Sequence, residues 1–128
     1  MDNVARRVVF PAGTVIFSEG EPGTTAYVVE SGKVEVYKTV ADKTIPIGRI
    51  DQGGIFGEMA LIDDHPRMAS AKALEETACV IIGKERLFQQ MDKAPRGVRV
   101  IVNALLGNIR AMGTELAEAS VILARDKD

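Results

Sequence analysis

The sequence predicts a mainly β domain of the α+β class: an antiparallel β jelly-roll barrel with flanking helices and a long C-terminal helix. Three observations predict it. Residues 7–50 consist of short apolar runs, rich in β-branched and aromatic side chains and broken by glycine-bearing turns, as antiparallel hairpins require. Two further apolar runs follow a glycine-rich stretch at 53–61, which brings the count to seven or eight short strands and suits a barrel or sandwich. After Gly83 the apolar period changes from two to alternating steps of three and four, so helices follow the strands. A chain of 128 residues is one domain by length: a barrel at about 7–83 and helices at about 84–124.

In order, Val8-Val9-Phe10 forms a strand, Pro11-Ala12-Gly13 a turn, and Thr14-Val15-Ile16-Phe17 a second strand. Glu19-Gly20-Glu21-Pro22-Gly23 turns into Ala26-Tyr27-Val28-Val29-Glu30, and Ser31-Gly32-Lys33 leads to Val34-Glu35-Val36-Tyr37-Lys38, which alternates with a period of two. Gly13, Gly20, Gly23 and Gly32 read as turn glycines. A strand over Thr44 to Ile50 contains Pro46, which places it at a sheet edge or a bulge. Ala69 to Ala73 and Cys79 to Ile82 are the last two strands. Lys84 to Met91 is a short helix, and Pro95 suits the first turn of the next. From there Val98, Val102, Leu105, Ile109, Met112, Leu116, Ala119 and Leu123 make an a/d seam over nearly four heptads, which predicts a parallel homodimer through the helix from about Arg96 to Ala124. Gly107 and Gly113 weaken that helix locally.

The chemistry concentrates in Gly53-Gly54-Ile55-Phe56-Gly57-Glu58-Met59-Ala60-Leu61 and Pro66-Arg67-Met68-Ala69-Ser70. Gly57 has no Cβ, so backbone and ligand can approach closely there. The helix-forming residues after it leave the N–H groups of Gly57, Met59 and Ala60 free to converge on an anion. Glu58 can accept from a neutral hydroxyl, and Arg67 offers a planar fork of donors for a phosphate. Amides, one carboxylate and one arginine describe a pocket for a phosphorylated sugar.

Phe56-Gly57-Glu58-Met59-Ala60-Leu61 followed by Pro66-Arg67-x-Ala69-Ser70 resembles the phosphate-binding cassette of cyclic nucleotide-binding domains, the family of catabolite-activator-type regulators, kinase regulatory subunits and cyclic-nucleotide-gated channels. The framework hairpins at Thr14–Gly23 and Tyr27–Val36 are similar too, so the likeness covers roughly residues 8 to 112. The resemblance implies that Arg67 holds a cyclic phosphate, Glu58 the ribose 2′-hydroxyl, and the long helix the base, with Thr114 its candidate hydroxyl. Met68 departs from the family pattern of a small residue after the arginine. A serine or threonine there assists guanine recognition in the family, so Met68 points to cyclic AMP over cyclic GMP as the ligand. Ser70 is assigned to the pocket wall.

Composition narrows the function further. Hydrophobic residues are 46%, charged residues 27% and net charge −2, an ordinary globular profile with no general reason to bind nucleic acid or an anionic membrane. Arg6-Arg7 and Lys93, Arg96 and Arg99 read as solvated surface. No apolar run approaches the ~20 residues that span a bilayer, and the N-terminus lacks the apolar core of a signal peptide, so the cytoplasm is the expected compartment. The single cysteine, Cys79, precludes a disulfide framework within the chain and reads as a buried small hydrophobe. His65 is the one histidine and reads as an exposed loop residue, which argues against a metal-dependent enzyme of the cupin class. The expectation is a non-enzymatic sensor without a metal, and its output is a helix surface offered to an effector protein. The sequence ends at Asp128, where transcriptional regulators of the family continue into a helix-turn-helix domain, so none is expected here. The competing reading is a dimerisation module of the same fold that has lost its ligand.

Overall fold

The computed structural model describes residues 5–62 and 65–108. Eight strands form two four-stranded sheets: β1 (Ala5–Phe10), β2 (Val15–Phe17), β3 (Thr25–Ser31), β4 (Val34–Val40), β5 (Lys43–Ile50), β6 (Ile55–Phe56), β7 (Ser70–Ala73) and β8 (Thr77–Gly83). One sheet has the order β1-β8-β3-β6 and the other β2-β7-β4-β5, and every pairing is antiparallel. The apolar run predicted for Cys79 to Ile82 becomes β8, a central strand that pairs Cys79 with Val8 on one side and Val29 on the other. The short strand β6, inside the glycine-rich stretch, is an addition to the expected set.

The strand containing Pro46 shows both features that a proline there demands. β5 lies at the edge of its sheet, and its register with β4 shifts between Val36↔Gly48 and Tyr37↔Pro46, so that Ile47 is the extra residue of a bulge. Proline cannot donate to a ladder, and a bulge lets the chain skip that bond while it re-aims one side chain.

The interior between the sheets holds Phe17, Tyr27, Val29, Val34, Phe56, Ala71 and Cys79. Tyr27 and Phe56 stack with centroids 4.9 Å apart, and Phe17 lies 5.7 Å from Tyr27 and 6.0 Å from Phe56. These rings gather at the end of the barrel where the glycine-rich stretch returns, so the aromatic core is also the floor beneath the candidate site.

α1 (Lys84–Lys93) follows β8 directly and buries Met91. Its first residue is tied back by Lys84 N–H donating to Thr24 O at 2.8 Å. The chain is helical again over 96–108, designated α2, and Pro95 caps its first turn by accepting from Arg99 N–H at 3.1 Å. Val98, Ile101 and Leu105 on α2 are 49%, 62% and 55% exposed. The seam positions Ile109, Met112, Leu116, Ala119 and Leu123 lie outside the described residues, as does Thr114.

Candidate functional site

Gly57 ends β6 and starts a single 3-10 turn over Glu58–Leu61. Its φ of 69° is left-handed, and an added Cβ would lie 2.9 Å from Arg67 Nη1 and 3.3 Å from Phe17 Cε2. Both backbone conformation and space therefore select glycine. Ala60 N–H donates to Gly57 O at 3.2 Å, so this amide, expected to be free for a ligand, closes the turn. The turn buries Ala60 and Leu61, which anchors it while Glu58 stays half-buried beside the opening.

Arg67 reaches the same place from the other side. Its backbone is fixed at two points: Arg67 N–H donates to Glu21 O and Gly20 N–H donates to Arg67 O, both at 2.8 Å. The side chain is only 8% exposed. Nη1 donates to Gly57 O at 3.3 Å, Nη2 donates to Thr25 Oγ1 at 3.1 Å, and Cζ stands 4.2 Å over the Phe17 ring. Nε is buried with no hydrogen-bond partner among the described residues, and no carboxylate among them pairs with the guanidinium. Burial pulls the Arg67 pKa below its ordinary value, while Tyr27 and Glu21 act in the opposite direction. A guanidinium remains protonated at physiological pH, so this is a buried positive charge with no carboxylate paired to it among the described residues, an arrangement that favours an incoming anion.

A cleft of about 370 Å³ opens at this point, within the ~300–1,000 Å³ usual for small-molecule sites. Of the residues singled out from sequence, Gly57, Glu58, Met59, Ala60, Arg67 and Met68 line it. Ser70 does not: it is buried, and its hydroxyl accepts from Glu19 N–H at 2.8 Å. Its Oγ ties the Glu19–Gly20 turn to β7. His65, read as a bystander, does border the cleft. The remaining wall is apolar and escaped sequence reasoning: Val36, Ile47, Ile50 and Ile55. Ile47 is the bulged residue after Pro46, so the proline was the one available signal. Gly23, read as a turn glycine, has no positive φ. A Cβ there would lie 2.2 Å from Arg67 Nε, so glycine leaves room for the guanidinium, whereas Gly13, Gly20 and Gly32 do adopt φ of 84°, 87° and 98°. No cluster of three His, Cys, Asp or Glu that could hold a metal occurs among the described residues.

The cleft of this barrel joins a left-handed glycine, a carboxylate and a buried arginine, an arrangement suited to a small anionic ligand. Comparison with known proteins gives the family. The cyclic nucleotide-binding domain family matches residues 7–94, and the chain belongs to it. It is 38% identical over 78 residues to the cAMP-dependent protein kinase regulatory subunit of Emericella nidulans, covering 61% of this chain and 18% of that protein. It is 30% identical over 123 residues to the Cyclic AMP receptor protein of Thermus thermophilus, covering 95% and 57%. The chain thus spans under a fifth of the one and little more than half of the other. Among solved structures, the half-site-occupied form of the EAL enzyme Bd1971 is similar with a TM-score of 0.74 and 37% identity, over 85% of this chain and 98% of that one. Forms of the same enzyme bound to cAMP and to cGMP match with TM-scores of 0.64. No described helix is long and apolar enough to cross a membrane.

Proposed function

We propose that this chain is a single-domain cytoplasmic cyclic nucleotide sensor, not itself an enzyme, that binds cyclic AMP in preference to cyclic GMP. Arg67 and the backbone amides of the Gly57 turn hold the cyclic phosphate, Glu58 accepts from the ribose 2′-hydroxyl, and Met68 with the apolar wall receives the base. The observation that carries this reading is Arg67, 8% exposed, with a buried Nε that has neither a hydrogen-bond partner nor a paired carboxylate among the described residues. A monoanionic phosphate supplies the missing charge and acceptors together.

The preference for adenine rests on the cleft wall. Met68 is 39% exposed at the opening, its thioether cannot donate to guanine, and Val36, Ile47, Ile50 and Ile55 bring no hydroxyl or amide side chain. Bound nucleotide favours the arrangement in which the C-terminal helix covers the cleft, with Thr114 at the base. This is a shift of an existing equilibrium that changes a surface offered to an effector protein, in a homodimer joined through that helix.

Calorimetric titration with both nucleotides tests the proposal. Cyclic AMP is expected to bind, and cyclic GMP to bind at least tenfold more weakly, a gap of about 1.4 kcal/mol. Arg67→Ala is expected to weaken binding by roughly 2–5 kcal/mol, the cost of removing one partner of a buried charge pair, and Arg67→Lys to recover part of it. Glu58→Gln costs less, because the partner lost is a neutral hydroxyl. A folded wild-type chain that takes up neither nucleotide sinks the reading in favour of a ligand-independent module.

A further inference from the structure

Thr25 lies on β3, outside the glycine-rich stretch, yet its hydroxyl is hydrogen-bonded to the buried cation. We propose that Thr25 is a positioning residue for Arg67, with its hydroxyl aimed by Tyr27. This rests on the reading of Arg67 as the group that holds the ligand's phosphate. Arg67 Nη2 donates to Thr25 Oγ1 at 3.1 Å, and Thr25 Oγ1 donates to Tyr27 Oη at 3.2 Å. A hydroxyl has one proton and two lone pairs. Committing the proton to Tyr27 turns the lone pairs toward the guanidinium, and successive bonds of one polarity reinforce each other at low dielectric.

The geometry follows from the strand. Thr25 and Tyr27 are two residues apart on β3 and share one face. The Tyr27 ring is pinned by its 4.9 Å stack on Phe56, so its hydroxyl is a fixed reference point. Gly23, just before β3, leaves the space in which the guanidinium reaches Thr25. Arg67 is thereby suspended between two oxygens from different elements, Thr25 Oγ1 and Gly57 O, above Phe17. Each terminal nitrogen carries two N–H groups, so both keep a donor for an anion. Without the Thr25 oxygen, Nη2 would join Nε as a buried donor lacking an acceptor, and the guanidinium would turn away to find one.

The test uses the full chain, cyclic AMP calorimetry and side-chain 15N–1H spectra of Arg67. Thr25→Val keeps the shape and removes the oxygen; it is expected to weaken binding about tenfold, the scale of one hydrogen bond to a charged group. Thr25→Ser restores the hydroxyl and is expected to bind within about twofold of wild type, the scatter between independent sites. In an Arg67→Ala background, Thr25→Val is expected to add no further loss, because the two act as one unit. The spectra need no ligand: restricted Arg67 Nη resonances in wild type and Thr25→Ser should average in Thr25→Val. Equal affinity and restricted Nη resonances in Thr25→Val, or the same loss with and without Arg67, would overturn the proposal. A wild type that binds neither nucleotide defeats the reading of the site, while the spectra still decide whether Thr25 positions Arg67.

Discussion

At the scale of single residues, the interior of this barrel treats its two chemically notable side chains in opposite ways. Arg67 is buried with donors to spare, whereas Cys79 is buried with nothing to do. The Cys79 thiol is fully enclosed, and burial, with Glu30 nearby, pushes its pKa up from 9.0 to about 11. The consequence for stability has a definite sign. Between these two values the unfolded chain has released the thiol proton and the folded chain has not, so the unfolded state binds fewer protons and stability falls as pH rises. Across that window the loss amounts to about 2–3 kcal/mol, because each pH unit between the two values contributes about 1.4 kcal/mol. Chemical denaturation at pH 8 and pH 11 should show a drop in wild type that is smaller in Cys79→Ala by this amount. The difference between the two proteins isolates the thiol. An identical drop in both would mean that the folded thiol ionises normally. The sequence made the buried character of Cys79 legible through its apolar neighbours. It could not reveal Gly23, because the atom that excludes a larger residue there belongs to Arg67, 44 positions away along the chain.

At the scale of elements, the β4–β5 hairpin joins a left-handed turn to a bulge whose Ile47 lines the cleft. Val40 pairs with Lys43, leaving Ala41 and Asp42 as a two-residue turn with φ of 52° and 64°. Both residues are left-handed, as a type I′ turn requires, but this turn favours Asn-Gly over Ala-Asp. Replacing Ala41→Asn together with Asp42→Gly should stabilise the domain by about 1 kcal/mol, since a left-handed non-glycine residue costs about that much or more. A thermal melt should rise by roughly 3–5 °C, with cyclic AMP affinity unchanged because the Ile47 bulge keeps its register. An unchanged or lower melting temperature would show that the native turn is not strained. The hairpin strands were readable from their alternation, and Pro46 announced both the edge and the bulge. That Ile47 enters the cleft was not readable, because a bulge reverses the face that simple alternation assigns.

At the scale of the whole molecule, the barrel was legible because burial between two sheets leaves a period-two imprint on every strand. The cassette was legible because its residues are close in sequence. The helix beyond 96 presents the opposite case: its apolar positions make a pattern, but the pattern alone names no partner. Val98, Ile101 and Leu105 are exposed on α2, an apolar stripe that the barrel does not cover. On the proposed dimer, a second copy covers it. Sedimentation should give twice the chain mass, and Val98→Glu with Leu105→Glu, both on the heptad seam, should give a monomer with the β-rich circular dichroism of wild type. Wild type that sediments as a monomer at high micromolar concentration removes the dimer.

The two-point attachment of the Arg67 backbone to Gly20 and Glu21 has a consequence for how the site comes into being. A peptide spanning 53–70 would carry Gly57, Glu58, Arg67 and Met68, and yet no site. The amide and carbonyl that hold Arg67 in place come from a turn more than forty residues earlier, the floor comes from Phe17 and Tyr27, and Ser70 is engaged with that same turn. Closing so long a loop costs entropy that only the docked sheets repay. On the proposed reading, recognition therefore requires the docked N-terminal turn as well as the cassette. A nascent or partly unfolded chain would carry the cassette residues without the capacity to bind through them.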